Sequence, residues 1–268
     1  IQSLHYKSFS VYTEEIIGET NNKLEKFSMY QDFTSSGVGI NFKAGFIYRP
    51  IPVLRLGFAI HTPTYYDLDA YANNNVSAKF TELPVEDAKP TEKFEYGESA
   101  WTDYSYKLKT PWRLMASAAT VLGQRAIISF DYEYVDYTTA KYSNDGAKNE
   151  YLETNNAIKA IYKSTHNFRA GAEYRFNSVF CLRGGYAYSA SPYTKGEMNE
   201  KNDIQTITGG LGLNFGVFYA DLAYLHKNSK LNGLFYYYET SKGEVIESPE
   251  FQTKFKDNEF RLTLGIRF

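Results

Sequence analysis

The sequence predicts an all-β fold, a transmembrane antiparallel up-and-down β-barrel, and three observations lead to it. Apolar and polar residues alternate in runs of about nine, so each predicted strand has one apolar face and one polar face. Short turns alternate strictly with long charged connections, which is typical of outer-membrane barrels. Aromatic residues make up 17% of the 268 residues, with 25 Tyr and 19 Phe, and amphipathic rings are favoured where membrane meets water.

The bulk composition narrows the class of protein. Hydrophobic residues make up 43% of the chain, and the net charge is −2. The longest apolar runs are far shorter than the roughly 18 residues that a transmembrane helix needs, whereas a barrel strand presents only every second residue to lipid. The small net charge argues against a nucleic-acid partner. The single cysteine, Cys181, excludes an internal disulfide, and the four histidines lack metal-ligand spacing, so no cofactor or metal is expected.

About ten strands follow from this alternation. The first is the least regular, and the last, which ends on Phe268, alternates without interruption. Nine residues at about 3.3 Å each, tilted by about 40°, span roughly 23 Å, close to the apolar band of about 25 Å in an outer-membrane barrel. In chain order the predicted strands cover residues 4–12, 38–48, 54–61, 112–122, 128–134, 167–176, 180–188, 206–215, 217–225 and 260–268.

Turn signals join these strands into hairpins. The short turns are Pro50-Ile51-Pro52, Gly123-Gln124, Asn177-Ser178 and the single residue Gly216, all of residue types that favour tight reversals. The long connections are polar and charged, and they cover residues 16–34, 67–100, 143–164, 192–203 and 230–253. Short turns lie on the periplasmic side of such barrels, so the C-terminus is predicted to lie on that side.

The apolar face of each strand is predicted to meet lipid, and the polar face to line the lumen. A single arginine at mid-depth on the lipid side costs about 2–4 kcal/mol, and none interrupts the centre of the apolar runs. On the lumen side, opposite charges can pair. The alternative is a soluble β-barrel or sandwich with the apolar face inside. The charged residues assigned to the polar face are Lys43, Arg55, Arg113, Asp131, Glu133, Arg169, Glu173, Arg183 and Asp221.

Two hairpins carry motifs that occur together in a known family. Residues 168–193 are FRAGAEYRFNSVFCLRGGYAYSASPY, and residues 48–68 are YRPIPVLRLGFAIHTPTYYDL. With LKTPWR at 108–113 and the terminal Phe268, this ordered set resembles the FadL/TodX (OmpP1) family of outer-membrane transporters for long-chain fatty acids and hydrocarbons. The resemblance implies a barrel of fourteen strands with an N-terminal hatch and a kinked early strand that gives a side opening. Counterparts of the hatch and of the early strands are missing, so residues 1–268 are expected to be a single barrel domain, the C-terminal portion of such a protein.

The leading hypothesis is an outer-membrane channel for diffusive uptake of hydrophobic compounds, such as long-chain fatty acids or hydrocarbons. Its expected partners are outer-membrane lipid and a hydrophobic small molecule. Aromatic residues of the external connections are candidates for capture, or else they extend an aromatic belt: Tyr65, Tyr66, Tyr71, Phe235, Tyr236, Tyr237 and Tyr238. Lumen arginines are candidates for binding a carboxylate head group: Arg55, Arg113 and Arg169. His61 is a further ligand-binding candidate in the lumen or a loop. The alternative for these arginines is pairing with Asp131, Glu133 and Glu173.

Two further hypotheses come from other functional classes. A FadL-like shell can serve as a docking or shuttle module for a secretion or surface-attachment complex, with a protein partner from a secretion system. A barrel enzyme needs an activated nucleophile and a base at the rim, and His61 and His226 lie near predicted strand ends. No Ser–His–acid spacing stands out, so the protein is not expected to be an enzyme.

Overall fold

The computed structural model describes residues 1–15, 24–80, 95–123, 125–146, 150–239 and 243–266. Parts of the sequence-based predictions therefore lie outside the described residues: Gln124 of a predicted turn, Arg267 and Phe268 of the last predicted strand, and the side chain of Tyr238. Among the helices in these ranges, none has the length and hydrophobicity needed to cross a membrane.

Strands dominate the described chain. In order, the elements are β1 (Gln2–Glu15), β2 (Leu24–Ile40), β3 (Lys43–Ile51), β4 (Leu54–His61), β5 (Tyr65–Phe80), β6 (Glu95–Lys109), β7 (Arg113–Leu122), β8 (Ala126–Asp136), a 3₁₀ turn (Tyr137–Thr139), β9 (Lys141–Ser143), α1 (Leu152–Ile161), β10 (Ser164–Arg175), β11 (Phe180–Ser189), β12 (Ile204–Phe215), β13 (Phe218–Leu234), β14 (Tyr237–Glu239), β15 (Val245–Glu247) and β16 (Glu250–Ile266). They form two compact units, one from residues 1–40, 65–109 and 142–151, the other from 41–64, 110–141 and 152–268.

The second unit contains a nine-stranded sheet of the order β3-β4-β7-β8-β10-β11-β12-β13-β16, in which every neighbouring pair is antiparallel. This order follows the chain and confirms the predicted up-and-down arrangement. The turns after β7 and β12 place Gly123 at φ +54° and Gly216 at φ +83°, a region that only glycine enters at little cost. The first predicted turn is displaced, because Pro50 and Ile51 belong to β3.

The predicted strand 38–48 is divided between the two sheets. Residues up to Ile40 belong to β2, and β3 begins at Lys43. Side chains add to the hydrogen bonding at this break: Asn41 Nδ2 donates to Thr64 Oγ1 at 2.8 Å, and the backbone N–H of Phe42 donates to Thr62 Oγ1 at 2.9 Å. The backbone N–H of Thr62 donates to Phe42 O at 2.9 Å, so both backbone groups of Phe42 have a partner.

The first unit corrects the prediction of two long loops. Within the predicted connections 16–34 and 67–100, residues 24–34, 67–80 and 95–100 belong instead to long strands of a five-stranded sheet, β1-β2-β5-β6-β9, and the rest of these connections lies outside the described residues. One face of this sheet is packed, because Leu68, Ala70 and Ser35 are buried and Ser35 Oγ lies 2.9 Å from Tyr106 Oη. Similarly, β13 and β16 extend into the predicted connection 230–253, which ends in the small β14–β15 hairpin.

The apolar face of the nine-stranded sheet carries exposed side chains, as the prediction that it meets lipid requires. On its apolar face, Phe176, Leu182 and Leu264 are 49%, 45% and 72% exposed, respectively. The hydrophobic side chains that are buried in the described residues are few: Leu68, Ala70, Val135 and Ile158. A soluble sandwich would bury such a face against a second layer, so the exposed apolar face fits contact with hydrocarbon.

Candidate transport groove

The polar face of the nine-stranded sheet carries a continuous groove. One cavity of about 620 Å³ lies over β3, β4, β7, β8 and β10, and a second of about 530 Å³ lies over β8 and β10 to β13. Both are lined by Asp131 and Arg169, so they meet at these two residues. A third cavity of about 470 Å³, next to the turn 177–179, shares Glu173, Arg183 and Asp221 with the second. We call the first two cavities together the polar-face groove.

Small residues form the floor of this groove. Directly paired residues of antiparallel strands point to the same face, and the ladders bring Gly57 opposite Ser117 and Gly185 opposite Thr208. A Cβ added at Gly57 would lie 2.3 Å from Ser117 Oγ, and one added at Gly185 would lie 2.8 Å from Thr208 Oγ1. Glycine at these positions therefore leaves room for the neighbouring hydroxyls, and no side chain of these glycines projects into the groove.

The charged residues at the junction of the two cavities differ in their ion pairing from the neighbouring charged residues. Arg169 and Asp131 stand opposite each other in the β8–β10 ladder, yet within the described ranges neither forms an ion pair within 4.0 Å. Glu133, in contrast, accepts a hydrogen bond from Asn167 Nδ2 at 3.0 Å and lies 3.9 Å from Arg113 Nη1. The guanidinium of Arg169 is thus available to an incoming polar group.

A charged network closes the side of the groove nearest the short turns. Arg183 Nε donates to Glu173 Oε2 at 2.7 Å, and Arg175 Nε donates to Glu173 Oε1 at 2.8 Å. Arg183 also donates through Nη1 to Asp221 Oδ1 on β13. To reach it, the guanidinium crosses β12 above Gly212, where an added Cβ would lie 2.8 Å from Asp221 Oδ1. The network ties β10, β11 and β13 together and leaves its charges mutually satisfied.

The predicted lumen residues fall in different places. Arg169 lines both cavities of the groove, and Arg113 reaches it through Glu133. Arg55 is exposed on β4 and is not among the lining residues of these cavities. His61 is the ladder partner of Arg113 and Lys43. The structure therefore brings only part of this set to the groove.

The predicted capture residues lie in two separate regions. Tyr65 and Tyr66 begin β5 in the first unit, where Lys109 Nζ lies 5.9 Å from the centroid of the Tyr65 ring and Tyr66 Oη donates to Gln2 Oε1 at 3.0 Å. Phe235 stacks on Phe251 with the ring centroids 4.6 Å apart, and the backbone N–H groups of Phe235 and Tyr236 point to Ser248 Oγ.

The remaining candidates are placed as follows. Tyr71 contributes to a cavity of about 370 Å³ in the first unit, and Tyr237 is exposed at the end of the β13–β16 hairpin. His226 Nδ1 lies 2.8 Å from Asn258 Oδ1, on the apolar face. Within the described residues, His, Cys, Asp and Glu form no group of three or more that could hold a metal ion.

Sequence analysis missed the apolar lining of the groove and the hydroxyls that lie opposite its glycines. Met115 and Ile47 line the first cavity from the polar face, although the alternation pattern draws attention only to charges there. The signal that could find the floor is the presence of small residues on the polar faces of β4, β7 and β11, among them Gly57, Ser117 and Gly185, combined with a strand register that pairs neighbouring strands.

Comparison with known proteins identifies the family. The sequence model of the family described as "Outer membrane protein transport protein (OMPP1/FadL/TodX)" matches residues 4–213, which is more than three quarters of the chain. The chain belongs to the FadL/TodX family. No curated protein matches it.

The likeness to one solved structure supports the family's fold. The crystal structure of a Pseudomonas aeruginosa FadL homologue is similar, with a TM-score of 0.55, 15% identity, and coverage of 98% of this chain and 67% of that one. The Pseudomonas putida toluene transporter TodX gives a TM-score of 0.47 and 11% identity, with coverage of 99% and 70%. The first likeness shows that the chain has the antiparallel β-barrel fold of FadL-type proteins.

Membership in this family settles the coarse function. The protein is a FadL-like transport protein of the outer membrane, in a family of transporters for hydrophobic compounds, which confirms the predicted class and compartment. The family is one of transport channels rather than enzymes. Neither its description nor the similar structures point to a partner from a secretion system.

Proposed function

We propose that this FadL/TodX-family protein is a channel for diffusive uptake of hydrophobic compounds, such as long-chain fatty acids or hydrocarbons, across the outer membrane. The observation that carries the proposal is the polar-face groove, a long depression with a low floor on the face that a barrel turns to its lumen. Ligand sites are generally concave and mostly apolar, with a few polar groups that fix orientation. The groove has this composition.

The lining of the groove suits an elongated apolar ligand with at most one polar end. Gly45, Ile47, Ala59 and Met115 offer apolar surface in the first cavity, and the glycine-rich floor continues the path in the second. A hydrocarbon needs no more than this. A fatty acid also needs a cation, and Arg169, at the junction of the two cavities, supplies one.

The two ends of the groove define the proposed direction of transport. We place the short turns, and with them the C-terminus, on the periplasmic side. Phe235 and Tyr236, beyond the other end of β13, then serve as capture residues on the opposite side, and Tyr65 and Tyr66 are further proposed capture residues. In support, the turns at Gly123, Gly216 and residues 177–178 all follow the strand ends of one edge of the nine-stranded sheet, the edge at which β16 ends.

The test is whole-cell uptake of radiolabelled oleate and of radiolabelled toluene, in cells that lack other transporters of this family. The variant Ala187→Trp fills the second cavity from the polar face, and Ala118→Trp makes the same change on β7, on the apolar face, where it lines neither cavity. We expect uptake of at least one compound above the level of vector-only cells, a severalfold loss in Ala187→Trp, and parental uptake in Ala118→Trp.

Two results would contradict the proposal. Uptake of neither compound above the vector-only level would remove the transport function for these classes. Equal uptake by Ala187→Trp and the parent would show that the compound passes elsewhere. Recovery of a defined protein partner, together with unaltered uptake, would instead favour the docking hypothesis.

A further inference from the structure

The hairpin of β13 and β16 separates its charges by face. The ladder between these strands runs from Phe218 opposite Ile266 to Leu234 opposite Glu250. Residues of even number carry the apolar face, and beyond the apolar band this same face becomes basic. The order along it is a pair of aromatic rings, then an asparagine and a histidine, then three lysines, Lys230, Lys254 and Lys256, which we call the basic strip.

The aromatic pair marks where the apolar band ends. The rings of Tyr224 and Phe260 lie 4.8 Å apart on the apolar face, and Phe260 is 72% exposed. Tyr224 Oη donates to Asn258 Oδ1 at 2.7 Å, so the polar end of this ring points away from the band. Aromatic girdles lie at the boundary between hydrocarbon and head groups, with the polar tip on the wet side. The next residues along this face therefore lie at head-group depth.

The basic strip lies above the aromatic pair, and its long side chains can reach back toward the lipid phosphates. Lys256 is four residues beyond Phe260, about 13 Å along the strand and about 10 Å above the girdle at a tilt of about 40°. Lys230 and Lys254 face each other two residues further, at about 15 Å. Lysine side chains in such positions extend their ammonium groups toward the head groups.

No acidic residue competes for these lysines within the strip. In the segments 224–232 and 252–260, the acids are Asp257 and Glu259, which point to the polar face and pair with Lys227 and Arg261. The three lysines are exposed, and in the described part of the chain none has an ion pair within 4.0 Å. The other acid on their own face of the hairpin, Glu250, is at the end of β16. The strip is thus a positive surface without an ion-pair partner in the described residues.

We propose that the basic strip binds the phosphate groups of lipopolysaccharide in the outer leaflet. Lipid binding is a function separate from uptake through the groove. It rests on the proposed orientation, in which this end of the hairpin faces the cell exterior. Each lysine near an anionic lipid surface strengthens binding, and three on one face act together on closely spaced phosphates. Loss of all three is expected to weaken binding about tenfold to a hundredfold at low salt.

The experiment measures binding of fluorescently labelled lipopolysaccharide to the protein in zwitterionic nanodiscs. The test variant is Lys230→Gln/Lys254→Gln/Lys256→Gln. The matched control is Lys159→Gln/Lys195→Gln/Lys201→Gln, which makes the same change in net charge at exposed lysines of α1 and of the connection 190–203. A third variant with arginine at the three strip positions keeps the charge. Heat-dependent gel migration checks that all variants are folded.

We expect the parent, the control and the arginine variant to bind alike, and the glutamine strip variant to bind about tenfold to a hundredfold more weakly. Dephosphorylated lipopolysaccharide should bind the parent as weakly as the intact lipid binds that variant. Equal loss in the control would reduce the effect to net charge and overturn the proposal, as would unaltered binding by the strip variant. Stronger binding of phosphatidylglycerol than of lipopolysaccharide would overturn the assignment to the outer leaflet. Because only lipid is measured, failure of uptake leaves this test intact.

Discussion

The glycines of β12 give a comparison within a single strand. Gly209 points to the apolar face, where a Cβ would meet nothing within 4 Å. Gly212 points to the polar face, where a Cβ would lie 2.5 Å from Cys181 Sγ and 2.8 Å from Asp221 Oδ1. Alanine removes backbone freedom from the unfolded chain equally at both positions, which stabilises the folded state by about 0.4–1 kcal/mol. The difference between the two variants therefore reports the local packing.

The magnitude at Gly212 follows from what must move. Overpacking typically costs about 1–3 kcal/mol. Displacing Asp221 also weakens its bond from Arg183, a contribution that solvent reduces because the Arg183 side chain is 45% exposed. We expect Gly212→Ala to lower the free energy of unfolding by about 1–2 kcal/mol and Gly209→Ala to raise it by about 0.5 kcal/mol. With a slope of about 2 kcal/mol per molar urea, the midpoints differ by about 1 M.

The assay is urea unfolding in lipid vesicles, followed by tryptophan fluorescence. A double-mutant cycle isolates the cause: in a Cys181→Ala background, the nearest atom to the new Cβ is gone, so Gly212→Ala should cost less. Equal destabilisation at both glycines would refute the argument, because it would show a general cost of alanine in β12. An unchanged cost in the Cys181→Ala background would show that the contact with Cys181 Sγ is not its source.

Three further predictions concern the Tyr219 ring over Gly265, Arg169 in the polar-face groove, and Tyr193 in the connection between β11 and β12. Tyr219→Ala should lower the free energy of unfolding by about 1–3 kcal/mol, because the ring packs over Gly265. Gly265→Ala should destabilise the parent, because its Cβ would collide with that ring, but it should be tolerated in the Tyr219→Ala background. Urea midpoints of the three variants measure both effects. Arg169→Leu should reduce uptake of oleate severalfold and leave toluene uptake unchanged, and an equal loss of both would argue for a structural role. Burial, and then the hydrogen bond with Tyr162, raise the pKa of Tyr193, so the stability that this group contributes is complete below about pH 10 and is lost as the pH rises above it. The thermal midpoint should therefore fall less between pH 9 and 11 in Tyr193→Phe than in the parent, as a pH series of melts can measure.

The nine-stranded sheet could be predicted where local signals agree. In β10 and β11, two-residue alternation coincides with the turn residues Asn177 and Ser178, so sequence fixes the faces, the turn and the partner together. The observed ladder, from Phe168 opposite Tyr188 to Arg175 opposite Cys181, matches that expectation. The charges assigned to the polar face also follow from alternation alone, because the period decides the face of every residue once one is known.

The five-stranded sheet could not be predicted in the same way. In β5, Leu68 and Ala70 alternate with aspartates, but the strand continues through Asn73, Asn74 and Asn75, which favour turns. High polarity on both faces resembles a solvated loop, and it is only the pairing with β2 and β6 that satisfies this backbone. Tertiary pairing overrides local propensity here.

The groove depends on contacts between distant segments. Gly57 and Ser117 face each other because β4 pairs with β7, although β5 and β6 lie between them in the chain. No local pattern reveals which small residue stands opposite which hydroxyl. The pairing of Arg113 with Glu133, and the absence of an ion pair at Arg169 in the described residues, are likewise decided by register across three strands. Sequence identifies the face of these arginines, but not their partners.

The two faces of the β13–β16 hairpin differ in how their charges are paired. On the polar face, Asp221, Asp257 and Glu259 each form an ion pair with a cation. On the other face, Lys230, Lys254 and Lys256 have no such partner in the described chain, and they lie beyond the aromatic pair that ends the apolar band. Balanced charges line a path for uncharged compounds, whereas unbalanced charges attract a charged surface. Suppose that substituting the three lysines altered uptake but not lipid binding. The lysines would then lie on the lumen side, and the assignment of lipid and lumen sides on this hairpin would be wrong.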